Sequence, residues 1–344
     1  MRGVLVIIFI LFAALPAHAQ FGLTADEAGL SLEVSPLYPE PRASVTARIH
    51  STLYDLSERN IVWRVGDDIV QEGIGGRTIT FKVGGAGEAR ELSAEVEIAG
   101  SPLSTSITLV PSSVDLLWES DSYTPPLYEG RAQPSAGSVV RLYAIPHLAL
   151  TDGTEVQSDA ITYTWRRGGE VMGELSGRGR SSIIVTAPLL FGSETYSVEA
   201  QSADRTRGAS VSVRVTTRSP ELRLYEHHPL FGVLYHHAIA ATAAFDPTET
   251  RFSVVPYFAP TDSPSQNGLV YEWDINQTRI EIDPDRQDEL TIDARASTGA
   301  AFLELTLTQT GNYFLQAKAA WRISFGGTRG VPGAFDPFRS SDTQ

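Results

Sequence analysis

The sequence predicts an all-β protein of three tandem β-sandwich domains behind a signal peptide. Three runs, 61–65, 162–166 and 270–274, each place one tryptophan inside an alternation of apolar and polar residues. These tryptophans, Trp63, Trp165 and Trp273, lie 102 and 108 residues apart, which is about the length of one β-sandwich domain. Because a period of two hides one face of every strand, the pattern is typical of two packed sheets. We expect the three tryptophans to form the structural core.

Residues 1–19 are predicted to be a signal peptide. Arg2 supplies a positive charge, residues 4–14 are almost uniformly apolar, and Ala17-His18-Ala19 forms a small-x-small cleavage box. The apolar run is shorter than the ~18–20 residues that cross a bilayer, which favours cleavage after Ala19 over retention as an anchor. We therefore predict an extracytoplasmic protein (cell surface, periplasm or secreted) with no membrane-spanning segment after cleavage.

Composition excludes several classes of site. The formal net charge is −14 and the chain has no cysteine. Nucleic-acid binding needs clustered lysine and arginine, so the acidic balance argues against it. The absence of cysteine rules out thiolate zinc sites and thiol catalysis. It also means that each domain must be held together by its core alone.

The first domain is predicted over residues 20–110. Alternating runs predict its strands at 30–34, 44–49, 61–65, 77–83, 92–98 and 105–109. Prolines 36, 39 and 41 indicate a turn or an edge after the first of these strands. The last two strands are predicted to form a hairpin across Gly100-Ser101-Pro102.

The second and third domains are predicted over residues 111–218 and 219–325. Their joints, 111–113 and 218–220, are short and contain proline, so we expect a semi-rigid arrangement. Residues 117–119 and 127–128 match 224–226 and 234–235 at an offset of 107, which indicates tandem duplication. The match predicts a short first strand and an aromatic loop in both domains. Residues 326–344 are predicted to be a disordered tail containing Phe335 and Phe338.

Two motifs carry a resemblance to known domains. Tyr163-x-Trp165 precedes Gly168-Gly169, and Tyr271-x-Trp273 precedes Ile275-Asn276. These segments resemble the Ig-like and PKD-like domains of exported bacterial multidomain surface proteins, in which a tryptophan on the third strand precedes a turn rich in Asn, Asp or Gly. The usual PKD segment Trp-Asp-Phe-Gly-Asp-Gly is absent, since 273–276 is Trp-Asp-Ile-Asn. The resemblance implies architecture and location but no activity.

Four histidines are candidate metal ligands: His227, His228, His236 and His237. If the residues between the pairs form a hairpin, the imidazoles could meet and bind Zn, Cu or Ni. The alternative is a solvated loop, because the matching positions in the second domain are Ser120, Asp121, Glu129 and Gly130. The acidic run 283–289 could bind calcium, but without glycine it is more typical of a solvated turn.

Aromatic residues near the joints form a candidate binding loop: Trp118, Tyr123, Tyr128, Tyr225, Phe231 and Tyr235. Exposed rings on loops bind sugars and peptides. The alternative, which we favour, is that these rings pack at the joints and pin one domain on the next.

The sequence contains no recognisable catalytic motif and implies no cofactor. We therefore predict a non-enzymatic structural or interaction protein of the bacterial cell envelope or surface, acting as a semi-rigid spacer or a protein-binding component. Its expected partners are other envelope or surface proteins and not nucleic acid. The alternative function is a ligand-binding module for glycan or metal, using the aromatic or histidine-rich loops of domains two and three.

Overall fold

A computed structural model describes residues 22–25, 29–150, 154–189, 192–245, 249–266, 268–294 and 299–325. The predicted signal peptide and the predicted tail lie outside these residues. Within them the regular secondary structure is almost entirely β-strand, so the predicted all-β class is confirmed. No helix in the described part of the chain is long and apolar enough to cross a membrane. Helical structure there is limited to three short 3-10 turns, at Ser158–Ala160, Gly173–Leu175 and Pro284–Arg286.

The first sandwich contains strands β1 (Gly22–Ala25), β2 (Leu30–Ser35), β3 (Ser44–Ser51), β4 (Asn60–Val65), β5 (Asp68–Ile74), β6 (Thr78–Lys82), β7 (Arg90–Ile98) and β8 (Ser101–Leu109). One sheet has the order β1-β2-β3-β6 and the other β5-β4-β7-β8. The hairpin turn is Ala99-Gly100, with φ of 53° and 82°. The prediction that Ser101 and Pro102 belong to the turn is wrong, because both pair with β7. Proline is tolerated there because β8 is a sheet edge.

The second sandwich contains β9 (Ser113–Ser120), β10 (Val139–His147), β11 (Thr162–Arg167), β12 (Glu170–Val171), β13 (Gly177–Arg178), β14 (Ser182–Thr186), β15 (Ser193–Gln201) and β16 (Gly208–Thr216). Its sheets are β14-β10-β9 and β12-β11-β15-β16, with β13 beside β11. In the first of these sheets, β9 and β10 are connected by a long loop, residues 121–138.

The third sandwich contains β17 (Glu221–His228), β18 (Gly232–Ala238), β19 (Thr242–Phe245), β20 (Glu249–Tyr257), β21 (Leu269–Ile275), β22 (Thr278–Arg279), β23 (Glu289–Asp293), β24 (Gly299–Gln309) and β25 (Asn312–Phe325). Its sheets are β18-β17-β20-β23 and β19-β25-β24-β21-β22, with β19 parallel to β25. The predicted aromatic loop of this domain is wrong, because 232–238 is strand β18, paired with β17.

Each sandwich encloses its own core around one of the three tryptophans. All three indoles are fully buried. Each indole N–H donates a hydrogen bond to a backbone carbonyl 13 to 15 residues further on: Trp63 to Gly76 at 2.8 Å, Trp165 to Arg180 at 2.8 Å and Trp273 to Gln287 at 2.9 Å. The repeated bond satisfies the one polar atom of a large apolar side chain.

The strand register corrects the duplication match by one residue. Pro146 pairs with Val114 in the second domain, and Pro256 pairs with Leu222 in the third. Pro146 and Pro256 are equivalent, because each is the next-to-last residue of a nine-residue strand, β10 and β20. The equivalent first-strand positions are therefore 108 residues apart, so that Leu116 corresponds to Leu224. Leu117, which the offset of 107 matched to Leu224, is 49% exposed. A one-residue slip exchanges the two faces of a strand, which explains why the offset of 107 is wrong.

Candidate functional site at the domain joints

The loop after β9 is hydrogen-bonded to the third domain through its backbone. The Tyr123 N–H donates to the Ala259 carbonyl at 2.8 Å, and the Phe258 N–H donates to the Tyr123 carbonyl at 2.7 Å. Paired backbone bonds of this kind fix the position of one segment against another. The loop of the second domain is thus tied to the end of β20.

Aromatic side chains cover the same contact. The Tyr128 ring meets Tyr257 and Phe258 edge to face, each at a centroid distance of 5.8 Å. The Tyr225 and Tyr257 hydroxyls hydrogen-bond at 2.6 Å, and the Tyr225 ring lies 5.7 Å from that of Tyr235. We call these rings, together with Tyr123, the aromatic clamp.

Burial within the clamp is uneven: Tyr225 and Phe258 are buried, whereas Tyr128 is 37% exposed. Tyr225 is only 3% exposed, although it points away from the core that Leu224 faces on the same strand. Burial raises the pKa of both Tyr123 and Tyr225, and the hydroxyl neighbours Tyr235 and Tyr257 respectively add to the rise. These hydroxyls therefore stay neutral and serve as hydrogen-bonding groups at ordinary pH.

A second contact joins the same two domains. The Asn312 side-chain amide, at the start of β25, donates to the Ala136 carbonyl at 2.8 Å. A Cβ at Gly137 would lie 3.1 Å from that amide, and Gly137 has a φ of 80°, so glycine suits this position on both counts. The Arg218 N–H, in the linker, also donates to the Pro134 carbonyl at 2.9 Å.

The structure brings four of the six predicted loop aromatics together, namely Tyr123, Tyr128, Tyr225 and Tyr235. Trp118 lies elsewhere, half-buried against the core of the second domain, with the Arg131 guanidinium 4.6 Å from its ring. Phe231 is 75% exposed in the β17–β18 turn and stacks on His228 at 4.7 Å. The clamp also contains Tyr257 and Phe258, which the sequence did not predict as members because they lie at and just after the end of a strand and not in an aromatic loop.

The histidine hairpin forms, but its register does not set the two pairs opposite one another. His227 pairs with Val233 and His228 with Gly232, and a bulge separates His227 from Tyr225 along β17. His227 Nδ1 lies 3.3 Å from a Glu289 carboxylate oxygen. The described residues contain no group of three or more His, Asp or Glu side chains placed to hold a metal ion.

The four-histidine metal site therefore stays a prediction, and a thermal melt tests it. A site that binds Zn²⁺ in the folded state would raise the melting temperature as the metal concentration rises. The variant His236→Ala/His237→Ala would remove that rise. A melting temperature that is independent of Zn²⁺ would contradict the predicted site.

The acidic run ends in an ion-pair cluster. Glu289 lies 3.3 Å from His227, 3.8 Å from Arg251 and 3.6 Å from Arg286. Asp283 accepts a hydrogen bond from the Asp285 N–H at 3.0 Å, which caps the short 3-10 turn. Calcium binding by this run stays an untested alternative.

The partly buried carboxyl of Asp288 is expected to make the stability of the third domain depend on pH. Burial raises the pKa of its carboxyl and outweighs the lowering by a hydrogen bond from its own backbone N–H; Glu289 raises the pKa further, and His227 and Arg286 lower it. A raised folded-state pKa means that this group's contribution to stability falls as pH rises above the unfolded value of about 3.9. We expect Asp288→Asn to be more stable than wild type at pH 7 and no more stable at pH 3. Urea unfolding at both pH values measures this, and a less stable variant at pH 7 would contradict it.

The joint between the first two domains is built around Tyr38. Its hydroxyl donates to the Arg205 carbonyl at 3.1 Å and accepts from the Gln201 amide at 2.6 Å. A Cβ at Gly208 would lie 2.8 Å from the Tyr38 ring, so glycine permits this close approach. The linker is also fixed, because the Ser112 N–H donates to the Pro39 carbonyl at 3.1 Å.

No family model matches the chain, and no curated protein matches it. Similar solved structures include the three N-terminal domains of the bacteriophage RB49 highly immunogenic outer capsid protein (12% identity, 90% of this chain, 100% of that chain, TM-score 0.24). They also include Clostridium thermocellum CbhA fibronectin(III)-like modules (15% identity, 54% and 94%, TM-score 0.27). A third is Bacteroides ovatus SGBP-B in complex with a mixed-linkage heptasaccharide (13% identity, 92% and 69%, TM-score 0.22). At these TM-scores the likeness adds no argument about function, and the fold rests on the strands, sheets and cores described above.

Proposed function

We propose that the chain is an exported, non-enzymatic structural and interaction protein of the bacterial cell envelope or surface. It would act as a semi-rigid spacer or a protein-binding component. The observation that carries this proposal is the aromatic clamp between the second and third domains. Tyr123 and Tyr128, which could have formed a ligand platform, instead contact the end of β20 through backbone bonds and ring edges, although Tyr128 stays 37% exposed.

The joints support the spacer role physically. Domains of one chain move relative to each other by default unless their interface is large and apolar. Here backbone bonds to Tyr123, the rings around Tyr128 and the Asn312 amide act together on one joint. Contacts that are spread over several segments oppose bending in more than one direction. A stiff row of three domains keeps its two ends at a fixed distance from each other.

The location is supported by the sequence pattern of residues 1–19, and the interaction role by exposed apolar side chains. Leu230 and Phe231 in the β17–β18 turn are 83% and 75% exposed. Exposed apolar groups at the tip of a fixed hairpin suit contact with another protein. The same tip also favours the alternative function, a glycan-binding module, because Phe231 stacks on His228 and presents an aromatic face.

Site-specific photo-crosslinking in cells of the source bacterium tests the interaction role. A photoreactive phenylalanine at Phe231 should give discrete adducts with one or two envelope proteins. The same group at Arg223, an exposed position on the preceding strand, is the control and should not give them. Adducts with polysaccharide alone would favour the ligand-binding alternative. The absence of any adduct above the control would contradict the proposed contact.

A further inference from the structure

A cleft of about 560 Å³ lies between the first and second domains. The first domain contributes apolar and hydroxyl side chains from the segment after β2 and from β8, including Leu37 and Ile107. The second domain contributes the β15–β16 turn, with Asp204, Arg205 and Arg207. The cleft is far from the aromatic clamp along the chain, and the spacer role makes no use of it.

Arg207 lines the cleft and is buried, although its charge and one of its hydrogen-bond donors are not fully paired. It is 8% exposed, and its Nε makes no hydrogen bond with any described residue. Its Nη1 donates to the Thr206 hydroxyl at 2.9 Å and lies 3.6 Å from an Asp204 carboxylate oxygen. Asp204 is itself exposed, so this long ion pair neutralises the guanidinium only weakly. The Nε–H is buried and has no acceptor, which is costly, and a carboxylate in the cleft could pair with the charged guanidinium through its Nη atoms.

The charge of the cleft favours an anionic ligand. Two cations, Arg205 and Arg207, face one anion, Asp204, and the lining residues from the first domain are uncharged. This local excess of positive charge stands in a chain whose formal net charge is −14. A cleft with a net excess of positive charge favours anionic ligands.

We propose that this cleft binds a short peptide segment of a partner protein, with a glutamate or aspartate carboxylate on Arg207. An apolar neighbour in that segment would pack against Leu37 and Ile107. A sugar acid fits less well, because the Tyr38 ring lies against Gly208 and its hydroxyl is already bonded, so the ring is not free for stacking. The proposal rests on the interaction role above and names the partner's chemistry.

Amide chemical shifts of the full ¹⁵N-labelled chain test the proposal, with N-acetyl-Leu-Glu-amide as the probe. We expect saturable shifts of residues 204–207, and binding at least about tenfold weaker for N-acetyl-Leu-Gln-amide and for Arg207→Gln. Asp204→Asn keeps the side-chain oxygen that accepts from Ser202 and Thr206 but removes the competing charge. It should bind about two- to fivefold more tightly.

Several outcomes would overturn the proposal. They are equal binding of the Glu and Gln probes, no binding of either, or no tightening in Asp204→Asn. If digalacturonate binds more tightly than the peptide, the ligand of the cleft is a sugar acid and not a peptide. If Arg207→Gln loses its native spectrum, Asp204→Asn decides the question alone. Failure here is distinguishable from failure of the interaction role, because the cross-linked adducts at Phe231 form in cells without any probe peptide.

Discussion

Trp165→Ala is expected to lower the free energy of unfolding of the second domain by about 3–5 kcal/mol. The substitution removes the largest fully buried side chain of that core and leaves a cavity. It also removes the N–H that donates to the Arg180 carbonyl at 2.8 Å. Calorimetry of the full chain should show one unfolding transition moved to lower temperature. The transitions of the domains that contain Trp63 and Trp273 should stay in place.

A matched control comes from the same domain. Trp118→Ala removes the same side chain from a half-buried position, so its effect should be clearly smaller. Trp165→Phe fills most of the volume but leaves the Arg180 carbonyl without its donor, which should cost about 1–3 kcal/mol. An unchanged melting temperature in Trp165→Ala would show that the indole is not the centre of this core.

Tyr128→Ala is expected to loosen the joint between the second and third domains without unfolding either. The change deletes two edge-to-face ring contacts, each worth about 0.5–1.5 kcal/mol beyond its buried area. Because the ring belongs to neither Trp-centred core, the domain melting transitions should move little. Tyr143→Ala is the control, since Tyr143 lies on an exposed sheet face and donates to Glu119 at 3.0 Å. The distribution of inter-domain distances should broaden in the first variant only.

The sequence predicted the strands that bury a face and missed those that do not. Ile61, Trp63 and Val65 alternate with polar residues, and they form β4 as expected. Strand β5 went unpredicted because it is an edge strand whose residues are mostly exposed, so no alternating burial marks it. The duplication offset was wrong for a related reason, because adjacent Leu116 and Leu117 are alike in type although they face opposite sides.

The candidate site was predictable in its residues but not in its geometry. The sequence predicts that Tyr123 and Tyr128 form either a ligand platform or a joint contact, and it does not decide between the two. The choice depends on which surface of the next domain the loop contacts. Tyr257 and Phe258 form that surface, and they lie 129 and 130 residues after Tyr128 in the sequence. The histidine pairs show the same limit, because a bulge of a few residues decides whether they face each other.

The distance between spin labels on the second and third domains tests the central claim most directly. The chain has no cysteine, so Ser182→Cys and Lys318→Cys place one label on each domain at exposed strand positions. We expect one narrow distance distribution for the labelled chain and for its Tyr143→Ala form, and a broad one after Tyr128→Ala. A broad distribution in the otherwise native chain would contradict a semi-rigid spacer held by the aromatic clamp.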